Sequence, residues 1–180
     1  MFIIHTERLC LCALTYDEVV LLSKGRKEFE YALGFSESDI RLNADENFMG
    51  EFESALVGYV LPKLEEHAEH FAWYTHWLIV EKTLNLTIGG IGGTGLPDAE
   101  GQTMIGYFID GKFEGKGYAT EAVKGFLMWQ FSNPDLKSIY ADTPVTHIGS
   151  QKVLQKAGFA FEGPVEEGCR WRLKRSTFNV

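Results

Sequence analysis

Along residues 6–14 the side chains alternate, Leu9 and Leu11 against Cys10 and Cys12, which is the period of a strand with two distinct faces. Residues 15–22 change to a helical pattern. Thr15 stands at the capping position, and Asp17 and Glu18 occupy the first turn, where carboxylates meet the positive end of the helix dipole. From 24 to 70 the chain is charged and helical in tendency. Phe48, Phe52, Leu56, Tyr59 and Val60 recur at three- and four-residue spacing ahead of Pro62, which predicts an amphipathic helix and not a linker.

Residues 71–81 and 84–91 are apolar, aromatic and β-branched, with a polar turn near Lys82 and Asn85 between them, and so predict a hairpin. Pro97 and Asp98 mark residues 92–101 as a loop. A strand at 104–110, a helix at 118–131, a strand at 138–143, a helix at 146–157 ended by Gly158, and a pair of strands within 159–174 follow. Strands come first; strand and helix then alternate. That order predicts an α/β (α+β) fold: a mixed central sheet of about six to seven strands, antiparallel in its first half, with a strand–helix–strand crossover in its second and helices on both faces. No repeat, low-complexity stretch or break in composition marks a boundary, so residues 1–180 are expected to form one domain, with 24–70 inserted over one side of the sheet.

Composition narrows the function more than the fold. A formal charge of −8 argues against a general nucleic-acid binder, which needs Lys and Arg to neutralise phosphates, and weakly favours a cationic partner. Cys10, Cys12 and Cys169 make an odd count with no Cys-x-x-Cys pair or His-rich cluster, so reduced packing thiols are expected and no metal site. The apolar start at residues 1–9 is broken by His5, Glu7 and Arg8, unlike a signal peptide, and no apolar run is long enough for a membrane span; a cytoplasmic protein is expected. Base rate alone points to a homodimer, with no interface readable.

The chemistry concentrates in residues 105–122, Ile105-Gly-Tyr-Phe-Ile-Asp-Gly-Lys-Phe-Glu-Gly-Lys-Gly-Tyr-Ala-Thr-Glu-Ala, where a strand enters a glycine-containing turn and the turn enters a helix. The first amides of a helix lack intrahelical partners and carry partial positive charge, so this end is an anion site. Gly115 and Gly117 have no Cβ to keep an oxyanion off the backbone, and Lys112 and Lys116 add local positive charge. Ala119, Ala122, Val123, Phe126, Leu127 and Phe131 share one helical face, which can anchor the helix while its N-terminus stays open. A Walker loop is excluded, because glycine follows the Gly-Lys pair where Ser or Thr would hold magnesium. The other glycine run, Gly90 to Gly95, spells G-x-G-x-x-G but leads into Leu96-Pro-Asp, a loop that brings no helix dipole to a dinucleotide.

Together these residues resemble the GNAT acetyltransferases, and among them the RimJ/RimL-like branch that acetylates ribosomal-protein N-termini. Thr6-Glu-Arg-Leu is similar to that branch's opening strand, residues 105–110 with 115–122 to its cofactor motif, and Ser150-Gln-Lys-Val-Leu-Gln-Lys-Ala-Gly-Phe to its last helix; the likeness is weak from 24 to 70. The resemblance implies an acetyl-CoA-dependent N-acetyltransferase with residues 104–159 as its acetyl-CoA-binding core. Under it, the edge of Tyr107, Phe108 and Ile109 pairs with the pantetheine arm, and Lys112 and the backbone from Glu114 through Gly115, Lys116, Gly117, Tyr118 and Ala119 to Thr120 hold the pyrophosphate. Lys112 stands where the family often has Gln or Arg, and His147 where it usually has a cofactor-contacting Asn.

Acetyl transfer to an amine needs a neutral nucleophile, support for an oxyanion and help for the departing thiolate, and no metal. The resemblance places Ser150 beside the leaving sulfur. Asp142, Glu121, His147 and Tyr107 all remain open as general base, as does transfer of the proton to ordered water. Trp73, Tyr74 and Trp77 read as core before acceptor pocket, and Arg170, Arg172 and Lys174, opposite Trp171 and Leu173, as the solvated face of a half-buried strand. The acceptor is expected to be a primary amine, with protein N-terminal α-amines and small-molecule amines (amino acids, polyamines, aminoglycosides) both open. A CoA-binding module without turnover is the reading from another class.

Overall fold

The computed structural model describes residues 1–43, 48–166 and 168–178. One mixed sheet of eight strands runs through it: β1 (Phe2–His5), β2 (Leu9–Ala13), β3 (His76–Glu81), β4 (Leu86–Gly93), β5 (Gln102–Ile109), β6 (Ser138–Thr143), β7 (Ala160–Val165) and β8 (Gly168–Lys174), in the spatial order β1-β2-β3-β4-β5-β6-β8-β7. All neighbouring pairs are antiparallel except β5 and β6, which are parallel and joined by the crossover helix α6 (Tyr118–Gln130).

The strand count exceeds the expected six to seven because a further strand precedes the one expected at 6–14, which itself forms over Leu9–Ala13. Phe2–His5 pairs with Leu9–Ala13 as a hairpin, and Thr6 to Arg8 form its turn. Residues 71–81 divide: Phe71–Tyr74 is a helical turn, α5, and only His76–Glu81 is strand. Aromatic richness does not distinguish the two, because Trp73 packs on Trp129 from a helix as well as it would from a strand.

Alternation in the central strands builds two cores. Leu9, Leu11 and Ala13 of β2 and Trp77 and Ile79 of β3 face α6 and α7 (Ile148–Lys156). Cys12, Leu78 and Val80 face the opposite layer, made by α1 (Tyr16–Lys24), α2 (Arg26–Leu33), α3 (Phe48–Ala55) and α4 (Leu61–Glu66). Ala122, Val123, Phe126 and Leu127 are fully buried on the expected face of α6. Each of the two larger ones adds roughly 1.5–3 kcal/mol by leaving water, which locks the helix while its N-terminus points away from the core. Thr15 caps α1 as its sequence position predicts: the Glu18 carboxylate accepts from the Thr15 amide at 2.8 Å and its hydroxyl at 2.9 Å.

The amphipathic helix expected ahead of Pro62 continues through it. Pro62 has no N–H for the carbonyl four residues back, and the backbone slips to a π turn over Leu56–Val60, with the Leu61 amide donating to the Leu56 carbonyl. The glycine run in β4 has a packing cause. The His76 ring lies so close over Gly90 that a Cβ there would come within 2.1 Å of its Cε1. Burial, and then the charge of Arg26, push His76 down to about 3, so its ring is a neutral member of a three-ring cluster with Phe52 and Phe108.

Candidate active site

The sheet opens where β5 and β6 part. Their register runs only from Gln102↔Ser138 to Met104↔Tyr140, after which β6 pairs with β8 alone. On the other side β5 stays paired with β4 through Ile109. The Thr94 amide donates to the Met104 carbonyl and the Asp110 amide to the Ile88 carbonyl, so even-numbered backbone groups of β5 face β4. By alternation the carbonyl of Ile105 and the amides and carbonyls of Tyr107 and Ile109 face the cleft, where β6 no longer meets them. Such an edge can pair with an extended amide-bearing chain.

The strand leads into the glycine turn. Asp110, buried, accepts from the Lys112 amide at 2.9 Å and starts a single 3₁₀ turn, Gly111–Phe113. Gly115 (φ 72°) and Gly117 (φ 84°) then take the left-handed conformation, which a Cβ would oppose by about 1–2 kcal/mol per residue. Gly117 is the N-cap of α6 and has no side chain to cap with. The first intrahelical bond there runs from the Glu121 amide to the Gly117 carbonyl, so the amides of Tyr118, Ala119 and Thr120 have no acceptor within the helix. Space is open above Gly115 as well. The turn has the form of an anion cradle.

Its charges come from unequal sources. The Lys116 ammonium donates back to the Lys112 carbonyl at 2.8 Å and lies 5.1 Å from the centre of the Phe113 ring. The Glu114 carboxylate accepts from Asn43 at 3.1 Å, which leaves its backbone as the part turned to the cradle's purpose. A cation absent from the sequence-based site is Arg8. It donates to the Lys116 carbonyl at 3.1 Å, pairs with Glu121 at 2.7 Å and covers the Tyr118 ring at 4.3 Å. Arg8 thus ties the β1–β2 turn to both ends of the cradle. Its only signal in the sequence was its place in Thr6-Glu-Arg-Leu.

The second wall of the cleft is the start of α7. His147 is its N-cap, and its Nδ1 accepts from the Ser150 amide at 3.2 Å, which puts the ring proton on Nε2. The Ser150 hydroxyl lies 3.0 Å from the Tyr107 phenol, which also reaches the Ser150 carbonyl at 3.2 Å. Burial pushes the Tyr107 phenol up to about 12, outweighing the Ser150 contact, so it keeps its proton. Tyr107 and Ser150 were both expected at the site; their direct contact was not.

The remaining carboxylate candidates are engaged. Asp142 takes a two-pronged contact from Arg170, at 2.9 and 2.7 Å across the β6–β8 ladder. Glu121 is pushed up by burial but pulled further down by the Arg8 amide, the Thr6 hydroxyl and the Arg8 guanidinium, and ends below its ordinary value. Held in this way, the Glu121 carboxylate is a poor proton acceptor. Arg172 pairs with Glu162 at 3.0 Å and, like Arg170, lies over Tyr140, so much of the basic face of β8 is neutralised. Trp77 belongs to the core, Trp73 packs on Trp129, and Tyr74 stacks on His67 at 4.0 Å. Burial pushes the Cys12 thiol up to about 12, as a packing thiol requires. No cluster of His, Cys, Asp and Glu able to hold a metal occurs among the described residues. Nor is any helix among them long and apolar enough to cross a membrane.

From the cradle a groove of about 730 Å³ follows the outer face of α6, from Gly117 and Thr120 past Lys124 to Met128, with Lys156 of α7 at its rim. Its lining holds two cations, Lys124 and Lys156, two carboxylates, Glu7 and Glu121, and the apolar side chains of Ile4, Met128 and Trp129.

Residues 32–160, more than half of the chain, match the family described as the acetyltransferase (GNAT) domain. The chain is 33% identical over 98 residues to the uncharacterized N-acetyltransferase YjdG of Bacillus subtilis, a match that spans 54% of this chain and 58% of that protein. In fold it is similar to the ribosomal-protein-S5-alanine acetyltransferase of Vibrio fischeri, with a TM-score of 0.66 and 19% identity over 100% of both chains. It is also similar to the aminoglycoside acetyltransferase AAC(6')-Ib in complex with coenzyme A, with a TM-score of 0.62 and 15% identity over 94% of this chain and 96% of that one.

Proposed function

Since this chain belongs to the GNAT acetyltransferase family, we propose that it transfers the acetyl group of acetyl-CoA to a primary amine, and that residues 1–180 act as one domain for that purpose. The observation that carries the reading is the cleft between β5 and β6 opening beside an uncapped, glycine-led helix N-terminus. A strand edge with free amides and an anion cradle at its end match a substrate made of an amide-bearing arm and a pyrophosphate.

Acetyl-CoA supplies an activated thioester, and the protein's part is to hold and polarise it. The Tyr118, Ala119 and Thr120 amides, with Glu114 to Gly117 before them, take the pyrophosphate; Arg8 holds that turn in shape, and Lys112 adds charge against a net −8. The cleft-facing amides of Tyr107 and Ile109 bind the arm and stabilise negative charge on the thioester oxygen. The Ser150 hydroxyl donates to the departing sulfur. With Asp142 and Glu121 in ion pairs, the acceptor's proton leaves through water. His147 acts by capping α7 and so fixing Ser150, which accounts for an imidazole where the family usually has Asn.

For the acceptor we favour a protein N-terminal α-amine, on the likeness of residues 6–9, 105–122 and 150–159 to the RimJ/RimL-like branch and of the fold to a ribosomal-protein acetyltransferase. The 24–70 region would form the acceptor side. The aminoglycoside enzyme of similar fold makes a small-molecule amine the second reading. Calorimetry with CoA on the parent and on Thr120→Glu tests the donor site: the helix accepts a first-turn carboxylate, but the cradle would repel its anion. Saturable binding lost in the variant supports the site, and no binding by the folded parent overturns it. A panel of peptide N-termini, aminoglycosides and polyamines, read by mass spectrometry, then decides the acceptor.

A further inference from the structure

Tyr107 belongs to the cleft twice over. Its backbone faces the opening between β5 and β6, while its side chain turns into the α6–α7 layer and packs against that core. From there the phenol reaches two oxygens of one residue, the Ser150 hydroxyl at 3.0 Å and the Ser150 carbonyl at 3.2 Å. A phenol has one proton to give. If the carbonyl takes it, the serine hydroxyl is left to donate to the phenol oxygen and its proton is spent inside the protein. If the serine oxygen takes it, that oxygen is satisfied as an acceptor, and its own proton is free for a third group. The Ser150 amide is meanwhile held by His147, so the residue is fixed on every polar atom and only the direction of two protons remains to be chosen. In a chain of hydrogen bonds each donor strengthens the next, so a phenol donating to Ser150 makes the serine a better donor than it would be alone.

We propose that Tyr107 is a positioning residue for Ser150: its phenol donates to the Ser150 hydroxyl oxygen and thereby directs the serine proton at the sulfur of the bound donor. This rests on the reading of the cleft as the acetyl-CoA site and adds to it the device that sets the serine. In the transfer, the amine lone pair forms the C–N bond, the C–S bond breaks with its electron pair on sulfur, and the proton shed by nitrogen reaches sulfur through solvent. Tyr107 and Ser150 keep their own protons throughout; they lower the cost of charge on sulfur by hydrogen bonding. Because burial keeps the phenol protonated up to about 12, the donation persists across the working range of pH.

The test needs no acceptor. CoA itself, carrying a free thiol, is bound to the parent, Tyr107→Phe, Ser150→Ala and the double variant, and the thiol is titrated by its thiolate ultraviolet absorbance. His147 is common to all four proteins, so its contribution cancels. The parent is expected to favour bound thiolate about 3- to 10-fold over Tyr107→Phe, in line with the worth of one neutral hydrogen bond, and Ser150→Ala to lose at least as much. The double variant should match Ser150→Ala, because the phenol acts through the serine. CoA affinity is measured by calorimetry on each protein, so that every thiol titration is read at saturation and a loss of binding is kept apart from a loss of the shift. An unshifted thiol in Tyr107→Phe overturns the proposal, as does a double variant worse than Ser150→Ala by the full single effect. Should Tyr107→Phe fold poorly, restoring stability with bound CoA and titrating Ser150→Ala against Ser150→Thr reads the same serine from its other side; an unshifted thiol in both also overturns it. Failure of the parent to bind CoA removes the acetyl-CoA reading itself, a result distinct from binding without a shift.

Discussion

Two helices begin at the same cleft and begin in opposite ways. α6 starts at a left-handed glycine with no capping side chain and three amides without an intrahelical acceptor. α7 starts at His147, whose ring closes on the Ser150 amide. The difference separates two tasks. An uncapped end is left open at some cost in helix stability and can receive an anion; a capped end is stable by itself and can present a hydroxyl in a fixed direction.

The largest expected break of this contrast is Gly117→Ala. At φ 84° a Cβ should cost about 1–2 kcal/mol in denaturant unfolding and weaken CoA about tenfold or more, whereas parent-like affinity would show that the open end is not the anion site. Next in size, His147→Ala should lose about 1 kcal/mol of stability, and His147→Asn should recover most of it, because Asn is among the best N-caps. If Asn recovers nothing, the cap is not what His147 contributes.

Smaller again is Gly149→Ala, one residue before Ser150. Gly149 is not in the left-handed region, and a Cβ there would meet nothing nearer than the His147 Cε1 at 3.5 Å. This glycine should therefore gain about 0.4–1 kcal/mol on substitution, opposite in sign to Gly117. The smallest effect concerns the brace behind the open end. Glu121 lies below its ordinary 4.5 in the folded protein, so its contribution is complete above about pH 4.5 and is lost as pH falls through the lower folded value. With Arg8 39% exposed, solvent screening keeps the pair under about 1 kcal/mol. The melting-temperature difference between parent and Glu121→Gln should hold steady from about pH 7 to 5 and shrink below, and a gap that widened on acidification would refute the sign.

Much of the contrast was legible before any fold was known. The strand at 138–143 coincides with β6, and the helices at 118–131 and 146–157 match α6 and α7 to within a residue or two at each end. The cradle's glycines, its lysines and Ser150 were also readable. Less is legible at the edges: the pattern shows the strand within 6–14 but not β1 ahead of it, and it joins Phe71–Tyr74 to the strand at 76–81, since four residues at 2–5 are too few to show a period and aromatic residues at Trp73 and Tyr74 fit either assignment.

What the sequence determined by itself is what depends on neighbours along the chain: periodicity, a glycine where φ must be positive, an acid in a first turn, the interval from strand to helix. What only the tertiary structure decided is which polar groups are spoken for. Arg8 and Glu121 lie 113 residues apart, Tyr107 and Ser150 43, and Asp142 and Arg170 28. Each pairing follows from where sheet order and helix packing bring the chain, and a buried or half-buried polar group takes whatever partner is within about 3 Å. That is why three of the four residues open as general base resolve, in the fold, into one brace, one cross-strand ion pair and one neutral phenol, while the fourth, His147, is occupied as a cap.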